Sequence, residues 1–224
     1  MSSRDAILSR IRSALAGDQH RPVPPTPEVW PRENPSVDAM AERFQRELEA
    51  VHGEVMRCAD MHQASRALAA LAAQESWETI GSMDRPLCRE ICRDLEPGRV
   101  LWAGGADDAL QRLDGSPESM AGLSAGVVEA DCLLADTGTS MVACGRAEER
   151  LLCYLPPACV IVATVDRLVE HLPAAWPQLA PRIADPQTRG EFVFITGPSR
   201  TADIEKILIL GVHGPKRLLV CLVG

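Results

Sequence analysis

The last thirty or so residues constrain the fold most, because they alternate strand and helix patterns. Residues 192–195 form an apolar, β-prone run, and a polar segment over 196–205 separates it from an apolar run with helical spacing. A Gly/Pro loop follows, and residues 218–222 form a last short strand. This order predicts a βαβ unit, which requires a parallel sheet covered by helices. Ligands of such sheets bind beyond the carboxyl ends of the strands, so we expect a binding site at residues 197–201.

The first half of the chain shows the same alternation. Helical spacing of apolar residues predicts helices over 36–51 and 61–74, and Ser36 can cap the first of them. Short apolar runs predict strands over 53–58 and 99–103. Strands that alternate with helices are typical of α/β proteins. The predicted fold class is therefore α/β, with a mainly parallel sheet covered by helices.

The middle of the chain has a different pattern. Strand-like runs follow one another through short turns, at 126–135, 139–143, 151–155 and 159–164. Connections this short are typical of antiparallel pairing, so we predict an antiparallel strand section within the α/β fold. A helix over 166–175 and a proline-rich stretch are expected before the C-terminal unit.

Three regions are predicted along the chain: an amphipathic helix over 1–19, a proline-rich tether over 20–35 and the α/β domain over 36–224. Dense proline forbids helix and favours extended backbone. An arginine-rich amphipathic start is also typical of a mitochondrial presequence, but Asp5 and the short length disfavour that interpretation. We expect the helix to dock on a partner or on its own domain.

The charge balance and the cysteines exclude several functional classes. A formal net charge of -8 disfavours a general nucleic-acid binder and a protein attracted to acidic membranes. No apolar run approaches the roughly 20 residues of a membrane span. The eight cysteines include no C-x-x-C pair, and several lie in apolar runs, where cysteine behaves as a small hydrophobe. We therefore predict reduced thiols, no metal site, no directly bound cofactor and a cytoplasmic location.

The first candidate motif is the polar turn at residues 135–140. Gly138 permits a tight turn, and the Asp136 carboxylate with the hydroxyls of Thr137 and Thr139 offers groups that could grip a polar ligand. The other interpretation is a hairpin turn whose hydroxyls bond their own backbone. The sequence leaves both interpretations open.

The second candidate motif is the segment 196–205. A helix beginning after residue 201 would offer free N–H groups to an anion, and Arg200 adds donors suited to phosphate or carboxylate. Asp203, in the first turn of that helix, either complements the helix dipole or positions a ligand group. Plain helix capping is the other interpretation of the loop. The candidate ligand-binding residues here are Gly197, Pro198, Ser199, Arg200 and Thr201.

The third candidate is His213, which lies between glycines in the Gly/Pro loop. A histidine in such a loop is exposed enough to act as an acid or base, although it is also typical of plain polar surface. His213 and Asp203 are the predicted catalytic residues. The His-Glu-x-x-His and Gly-x-Gly-x-x-Gly patterns are absent, so the usual sequence signals of a zinc peptidase or a dinucleotide enzyme are missing.

Together the two motifs resemble a known family. Residues 196–205, followed by 211–215, resemble the C-terminal signature of the LUD-domain family of lactate utilization proteins. Residues 135–139 resemble a second signature of that family, in which Asp136 stands where glutamate is usual. Residues 3–12 resemble the family's N-terminal helix.

This resemblance implies a fold similar to the NagB/RpiA/CoA-transferase group. It also implies a bacterial role in oxidising L-lactate to pyruvate with two other proteins, one of which carries the iron–sulfur cysteines. Cys159 departs from the family, because many relatives have a histidine there. Two hypotheses follow: an accessory or ligand-binding subunit of a lactate-oxidising complex, or a stand-alone enzyme or binding protein for an anionic small molecule (a carboxylate, CoA ester or nucleotide) at the sheet's carboxyl edge.

Overall fold

The computed structural model describes residues 3–16, 29–104, 111–184, 191–202, 208–210 and 214–224. Its helices are α1 (Ser3–Ala16), α2 (Val37–Ala50), α3 (Met61–Gln74), α4 (Pro86–Ile91), α5 (Pro117–Ala121), α6 (Ala147–Leu152) and α7 (Leu172–Ala184). Its strands are β1 (Glu54–Cys58), β2 (Ile80–Met83), β3 (Val100–Ala103), β4 (Ala125–Glu129), β5 (Cys132–Leu134), β6 (Thr139–Ala143), β7 (Ala158–Thr164), β8 (Leu168–Val169), β9 (Phe192–Ile195), β10 (Arg200–Ala202), β11 (Leu208–Leu210) and β12 (Arg217–Val223).

The chain divides into two compact units, Met1–Pro31 and Arg32–Gly224. In the first unit α1 is a helix of 14 residues, and none of its side chains is buried. Most of the proline-rich segment lies outside the described residues, so the predicted tether stays a prediction.

A six-stranded parallel sheet forms the centre of the second unit. Its strand order is β1-β12-β7-β4-β2-β3. The central strand β7 pairs in register with both neighbours, so that Val160 lies opposite Val127 on β4 and Leu219 on β12. The inner strands β2, β4 and β7 are almost entirely buried, as expected for strands covered on both faces. The predicted α/β fold with a mainly parallel sheet is confirmed.

A second sheet of four strands has the order β8-β5-β6-β9. β6 pairs antiparallel with both β5 and β9, whereas β8 pairs parallel with β5. The predicted antiparallel section is thus real, but it is confined to this sheet. One face of it packs on α7 through a small cluster of buried side chains, namely Cys132, Leu134, Met141, Val169, Ala175 and Leu179.

The helices α2 and α3 lie where the sequence predicts them, and a side chain caps the start of each one. The Ser36 hydroxyl caps α2 by accepting from Ala39 N at 3.2 Å, and the Asp60 carboxylate caps α3 by accepting from Gln63 N at 2.7 Å. Such caps satisfy backbone donors that have no partner inside the helix. α2 then buries Phe44 and Leu48 against the sheet.

The predicted C-terminal βαβ unit is wrong. β9 belongs to the four-stranded sheet and β12 to the six-stranded one, so these two strands are not partners. Residues 208–210, predicted as helix, form β11 and pair antiparallel with β10. A short apolar run such as Leu-Ile-Leu fits a buried strand as well as a helix, because periodicity alone does not separate the two.

Three further expectations in the middle of the chain need correction. Residues 151–155 are not a strand, because α6 ends at Leu152. Strands β4 and β7 pair in parallel with each other rather than through a hairpin. The helix expected over 166–175 is α7, which begins later and runs through Pro177 and Pro181. Each of these prolines removes one backbone donor from the helix, and its ring crowds the carbonyl group four residues earlier.

All eight cysteine side chains are buried. Burial raises the pKa of the Cys92, Cys132 and Cys159 thiols from 9.0 to about 12. Cys159 lies on β7 between Gly126 on β4 and Leu218 on β12, where it acts as a small apolar side chain. These thiols must stay protonated while the chain is folded.

We therefore predict that the protein loses stability in alkali. Above pH 9 the unfolded chain releases thiol protons that the folded chain keeps, so the free energy of unfolding falls as the pH rises towards 12. Each of the three thiols should contribute a loss of about 1 kcal/mol between pH 8 and pH 10. Urea unfolding in reductant at both pH values measures this loss. Other buried thiols, such as Cys58 and Cys88, add to the same loss because burial raises their pKa too, whereas lysine and tyrosine interfere little, since the chain has two lysines (Lys206 and Lys216) and one tyrosine.

The matched variant for this experiment is Cys159→Ala. It should lose about 1 kcal/mol less than the parent between the two pH values, because one titrating thiol is gone. An unchanged pH dependence in this variant would contradict the assignment.

Candidate functional site

The first motif forms the turn between β5 and β6. Ala135 N donates to Val169 O at 2.8 Å and Asp136 N donates to Glu170 O at 3.0 Å, so β8 and the residue after it anchor the start of the turn. Asp136 is half-buried and Thr137 is exposed. The turn therefore presents part of its polar surface to solvent.

Gly138 occupies a position that only glycine fits well. Its φ is +63°, a conformation that side chains with Cβ rarely adopt. A Cβ atom there would also lie 2.8 Å from Leu48 Cα in the last turn of α2. The motif needs this glycine because its backbone lies directly against the backbone of α2.

Three threonine hydroxyls join the first motif to the second. Thr137 Oγ1 lies 3.3 Å from Asp136 Oδ1, Thr139 Oγ1 lies 2.8 Å from Thr137 Oγ1, and Thr196 Oγ1 lies 2.7 Å from Thr139 Oγ1. Antiparallel pairing of β6 with β9 brings the two ends together, since Ser140 lies opposite Ile195. The structure thus unites the predicted residues Asp136, Thr137 and Thr139 with the start of the second motif.

The second motif leaves β9 through Gly197, whose φ is +105°. A Cβ atom on Gly197 would lie 3.1 Å from Val51 O at the end of α2. Pro198 is buried, Ser199 is half-buried and Arg200 is exposed at the start of β10. Thr201 lies on β10, opposite Ile209.

The location of the second motif differs from the prediction. Ser199 N donates to Pro215 O at 2.9 Å, and Lys216 N donates to Pro157 O at 2.8 Å. Pro157 and Lys216 come just before β7 and β12, so the motif lies beside the amino ends of these parallel strands rather than their carboxyl ends. The strand β10, not a helix, follows Ser199, and the anion-binding argument from a helix start does not hold there. Asp203 and His213 lie outside the described residues, so their catalytic roles stay predictions.

The carboxyl edge of the parallel sheet carries a charged cluster that we did not predict. After β2 the chain forms β3 at one edge of the sheet. It then returns to form β4 on the other side of β2, and continues away from β3 through β7 to β12. The strand order therefore reverses between β2 and β4, which is where ligands of α/β sheets usually bind. Here the position is occupied by the chain's own charged side chains, Arg85, Glu129, Asp131, Glu149, Arg167 and Arg182.

Asp131 is the centre of this cluster, and its side chain is only 6% exposed. One oxygen, Oδ2, accepts from Arg85 Nη1 at 3.1 Å and from Ala143 N at 2.7 Å. The other, Oδ1, pairs with Arg182 of α7 at 2.9 Å. Arg85 also donates to Ala143 O. The carboxylate thereby ties the parallel sheet, β6 and α7 to one another.

Glu129 holds the other side of the cluster. It accepts from Leu87 N at 3.0 Å and from Arg167 at 2.9 Å, and Arg167 also donates to Ala130 O. Burial acts to lower the pKa of Arg85, but the charges of Asp131 and Glu149 outweigh it, so the net pKa is raised. Acidic residues at the end of an apolar run, as in residues 127–131, are the sequence signal that would have indicated this cluster.

Two buried polar atoms have no hydrogen-bond partner within the part of the chain that the structure describes. They are Ser140 Oγ, in the residue that follows Thr139 on β6, and His171 Nε2. His171 Nδ1 accepts from Ala174 N at 3.2 Å and thereby caps α7. The sequence pattern gave no signal for either atom.

The family model described as the LUD domain matches residues 41–223, which include both motifs. The chain belongs to the LUD domain family. The match covers the whole of the six-stranded and four-stranded sheets and leaves out α1 and the proline-rich segment.

Several curated bacterial proteins that are called lactate utilization protein C are similar to parts of this LUD-domain chain. The protein of Bacillus pumilus is 34% identical over 98 residues, which cover 43% of this chain and 41% of that protein. The protein of Geobacillus is 32% identical over 97 residues, which cover 41% of this chain and 39% of that protein. The protein of Bacillus subtilis is 27% identical over 128 residues, which cover 57% of this chain and 52% of that protein. The chain thus matches about two fifths to one half of the length of these relatives.

A solved structure shares the fold. The crystal structure of a DUF162 family protein from Deinococcus radiodurans matches with a TM-score of 0.59 and 18% sequence identity. The match covers 85% of this chain and 99% of that one. At this identity the similarity concerns the fold alone.

No described helix is long and apolar enough to cross a membrane. Among the same residues, no group of three or more His, Cys, Asp or Glu side chains is arranged to hold a metal ion.

We predict that Gly138→Ala destabilises the protein by about 3 kcal/mol, because it combines a positive φ with a close approach to the α2 backbone. Gly122→Ala is the matched control: Gly122 has φ −80°, and the nearest atoms to a new Cβ lie 3.7 Å away. Urea unfolding should show a lower midpoint for the first variant and no loss for the second. Equal midpoints would show that the turn moves away from α2 without cost.

We predict that Asp131→Asn costs about 3 kcal/mol, since removing one charge of a buried ion pair leaves Arg85 with only the more distant Glu149 carboxylate, at 4.0 Å, to balance it. The exposed Asp166 supplies the control variant Asp166→Asn, which should unfold at the parental urea concentration. Chemical unfolding at neutral pH measures both. A parental midpoint for Asp131→Asn would mean that the cluster contributes little to stability.

Proposed function

We propose that this chain acts in the utilization of L-lactate, as a subunit of a bacterial system that oxidises L-lactate to pyruvate. The observation that carries the proposal is the joining of the two family motifs into one site through the Thr139–Thr196 hydrogen bond of 2.7 Å. Relatives called lactate utilization protein C, similar over part of their length, support the same role. In this proposal the joined motifs bind a ligand, and the chain is an accessory or ligand-binding subunit.

The electrons of the reaction pass, in this proposal, to an iron–sulfur cluster on a partner subunit, with a third protein completing the system. The pKa values of several buried cysteines in this chain support the placement of the cluster on a partner. Iron–sulfur clusters are held by thiolates, whereas burial raises the pKa of Cys92 and Cys159 to about 12 and also raises that of Cys88. Protonated thiols inside strands and helices are suited to packing rather than to cluster ligation.

The helix α1 is the element we assign to partner docking. It exposes four apolar side chains, and an isolated helix of 14 residues is only marginally stable in water. Burial of this apolar stripe on a partner would stabilise both the helix and the complex. The four side chains are Ile7, Leu8, Ile11 and Leu15.

A second candidate function is that of a stand-alone enzyme or binding protein for an anionic small molecule. The observation that favours it is the exposed Arg200, which directly follows the half-buried Ser199 in the second motif. A guanidinium is suited to binding carboxylate or phosphate. The two candidates differ in whether the chain acts in a complex.

The first experiment is an affinity purification of the tagged full chain, under anaerobic conditions, from its native cell grown on L-lactate. We expect stoichiometric recovery of an iron–sulfur protein, identified by mass spectrometry, with iron in the eluate. Recovery of the chain alone and without iron would overturn the subunit proposal and favour the stand-alone candidate.

Two variants make this experiment specific. A chain that lacks residues 1–31 should lose the iron–sulfur partner if α1 provides the docking surface. Arg200→Ala should keep the partner but slow growth on L-lactate, because it removes a ligand contact and not the docking helix. Retention of the partner by the truncated chain would exclude α1 as the docking element.

A further inference from the structure

The hydroxyl chain from Asp136 to Thr196 has a fixed direction. A carboxylate oxygen accepts hydrogen bonds and has no proton to donate, so Thr137 donates its only hydroxyl proton to Asp136 Oδ1. Thr139 must then donate to Thr137, because the Thr137 proton is already used. By the same argument Thr196 donates to Thr139.

The consequence appears at the Thr196 end of the hydroxyl chain. Thr196 Oγ1 has given its proton to Thr139 and keeps unshared lone pairs, and the residue is exposed. Thr139, in the middle, is 5% exposed and therefore shielded from competing water. Thr196 thus offers an accepting oxygen, not a donating one, to whatever binds at the joined motifs.

We propose that Thr196 Oγ1 is a hydrogen-bond acceptor for a ligand hydroxyl group, oriented by Asp136 through Thr137 and Thr139, and that the site therefore selects a 2-hydroxy acid over the corresponding 2-oxo acid. This inference rests on the proposed function for the choice of acid. Thr196 is the ligand contact, and the other three side chains position it.

The selectivity follows from the chemistry of the two ligands. A hydroxyl group donates a proton to the Thr196 oxygen, whereas a keto oxygen can only accept and would meet lone pairs. Loss of one hydrogen bond, with a polar group left unpaired, corresponds to about a tenfold loss of affinity. The carboxylate is common to both acids, so exposed Arg200 contributes to affinity without contributing to this discrimination.

The test measures the dissociation constants of L-lactate, pyruvate and propionate for the purified full chain, by ligand-observed NMR titration. We expect L-lactate to bind about tenfold more tightly than pyruvate and propionate. Equal affinities for L-lactate and pyruvate would overturn the inference, and so would a failure of L-lactate to bind at tens of millimolar.

Variants show whether the preference for L-lactate depends on the hydroxyl chain or only on a direct contact with the ligand. Thr139→Val breaks the chain, and Asp136→Ala removes its terminal acceptor, so either change should reduce the preference for L-lactate over pyruvate to within about twofold. Thr139→Ser keeps the hydroxyl and should keep the preference. Arg200→Gln should weaken L-lactate and pyruvate alike and leave their ratio unchanged. Asp136→Ala tests the same point as Thr139→Val at a half-buried site, should the latter fail to fold.

A parental ratio in folded Thr139→Val or Asp136→Ala protein would overturn the hydroxyl chain as the origin of selectivity. Failure of this inference is distinguishable from failure of the proposed function. Recovery of the iron–sulfur partner in the affinity purification, together with equal affinities here, would leave the subunit role standing and remove only the hydroxyl selectivity.

Discussion

One buried carboxylate, that of Asp131, holds the two sheets of this protein together. Its two oxygens accept from Arg85 after β2, from the backbone of Ala143 at the end of β6 and from Arg182 of α7. Both charges of the Asp131–Arg85 pair are largely removed from water, and such a pair is stable only when hydrogen bonds satisfy its atoms. No fully buried side-chain nitrogen or oxygen of either residue lacks a partner within the described part of the chain. The position of β6 depends on this contact, and β6 carries the first motif at its other end. The charged cluster at the carboxyl edge is thus a structural support for a site at the opposite edge.

The elements with strong local signals were predictable from the sequence. Ser36 and Asp60 are good helix caps before long amphipathic segments, so α2 and α3 lie where the pattern puts them. The prediction of the C-terminal βαβ unit was wrong because it used only local sequence signals, whereas the strands that pair with this segment include one far away in the sequence. Whether residues 192–195 join a parallel or an antiparallel neighbour depends on β6, fifty residues earlier in the chain, and nothing in the run itself specifies this. The short run 208–210 carried too little periodicity to distinguish strand from helix.

The two motifs were recognisable in the sequence, although their ligand-binding role stays a prediction. Glycine and hydroxyl residues concentrated in two short segments indicated the motifs, and the structure brings Thr139 and Thr196 into contact. The edge of the sheet was predicted wrongly, because it was inferred from a βαβ unit that does not form. The contact between Thr139 and Thr196 could not have been predicted, since it depends on the pairing of β6 with β9 and not on spacing within either motif.

Both motif glycines lie against the last turn of α2, Gly138 beside Leu48 and Gly197 beside Val51. The backbone at the end of α2 therefore helps to fix the positions of two loops that are far apart in the sequence. A rotation or shift of α2 along its axis would displace both loops at once. In a genetic screen for loss of function, substitutions that move the end of α2 should therefore appear among the site mutations, although no side chain of that helix belongs to either motif.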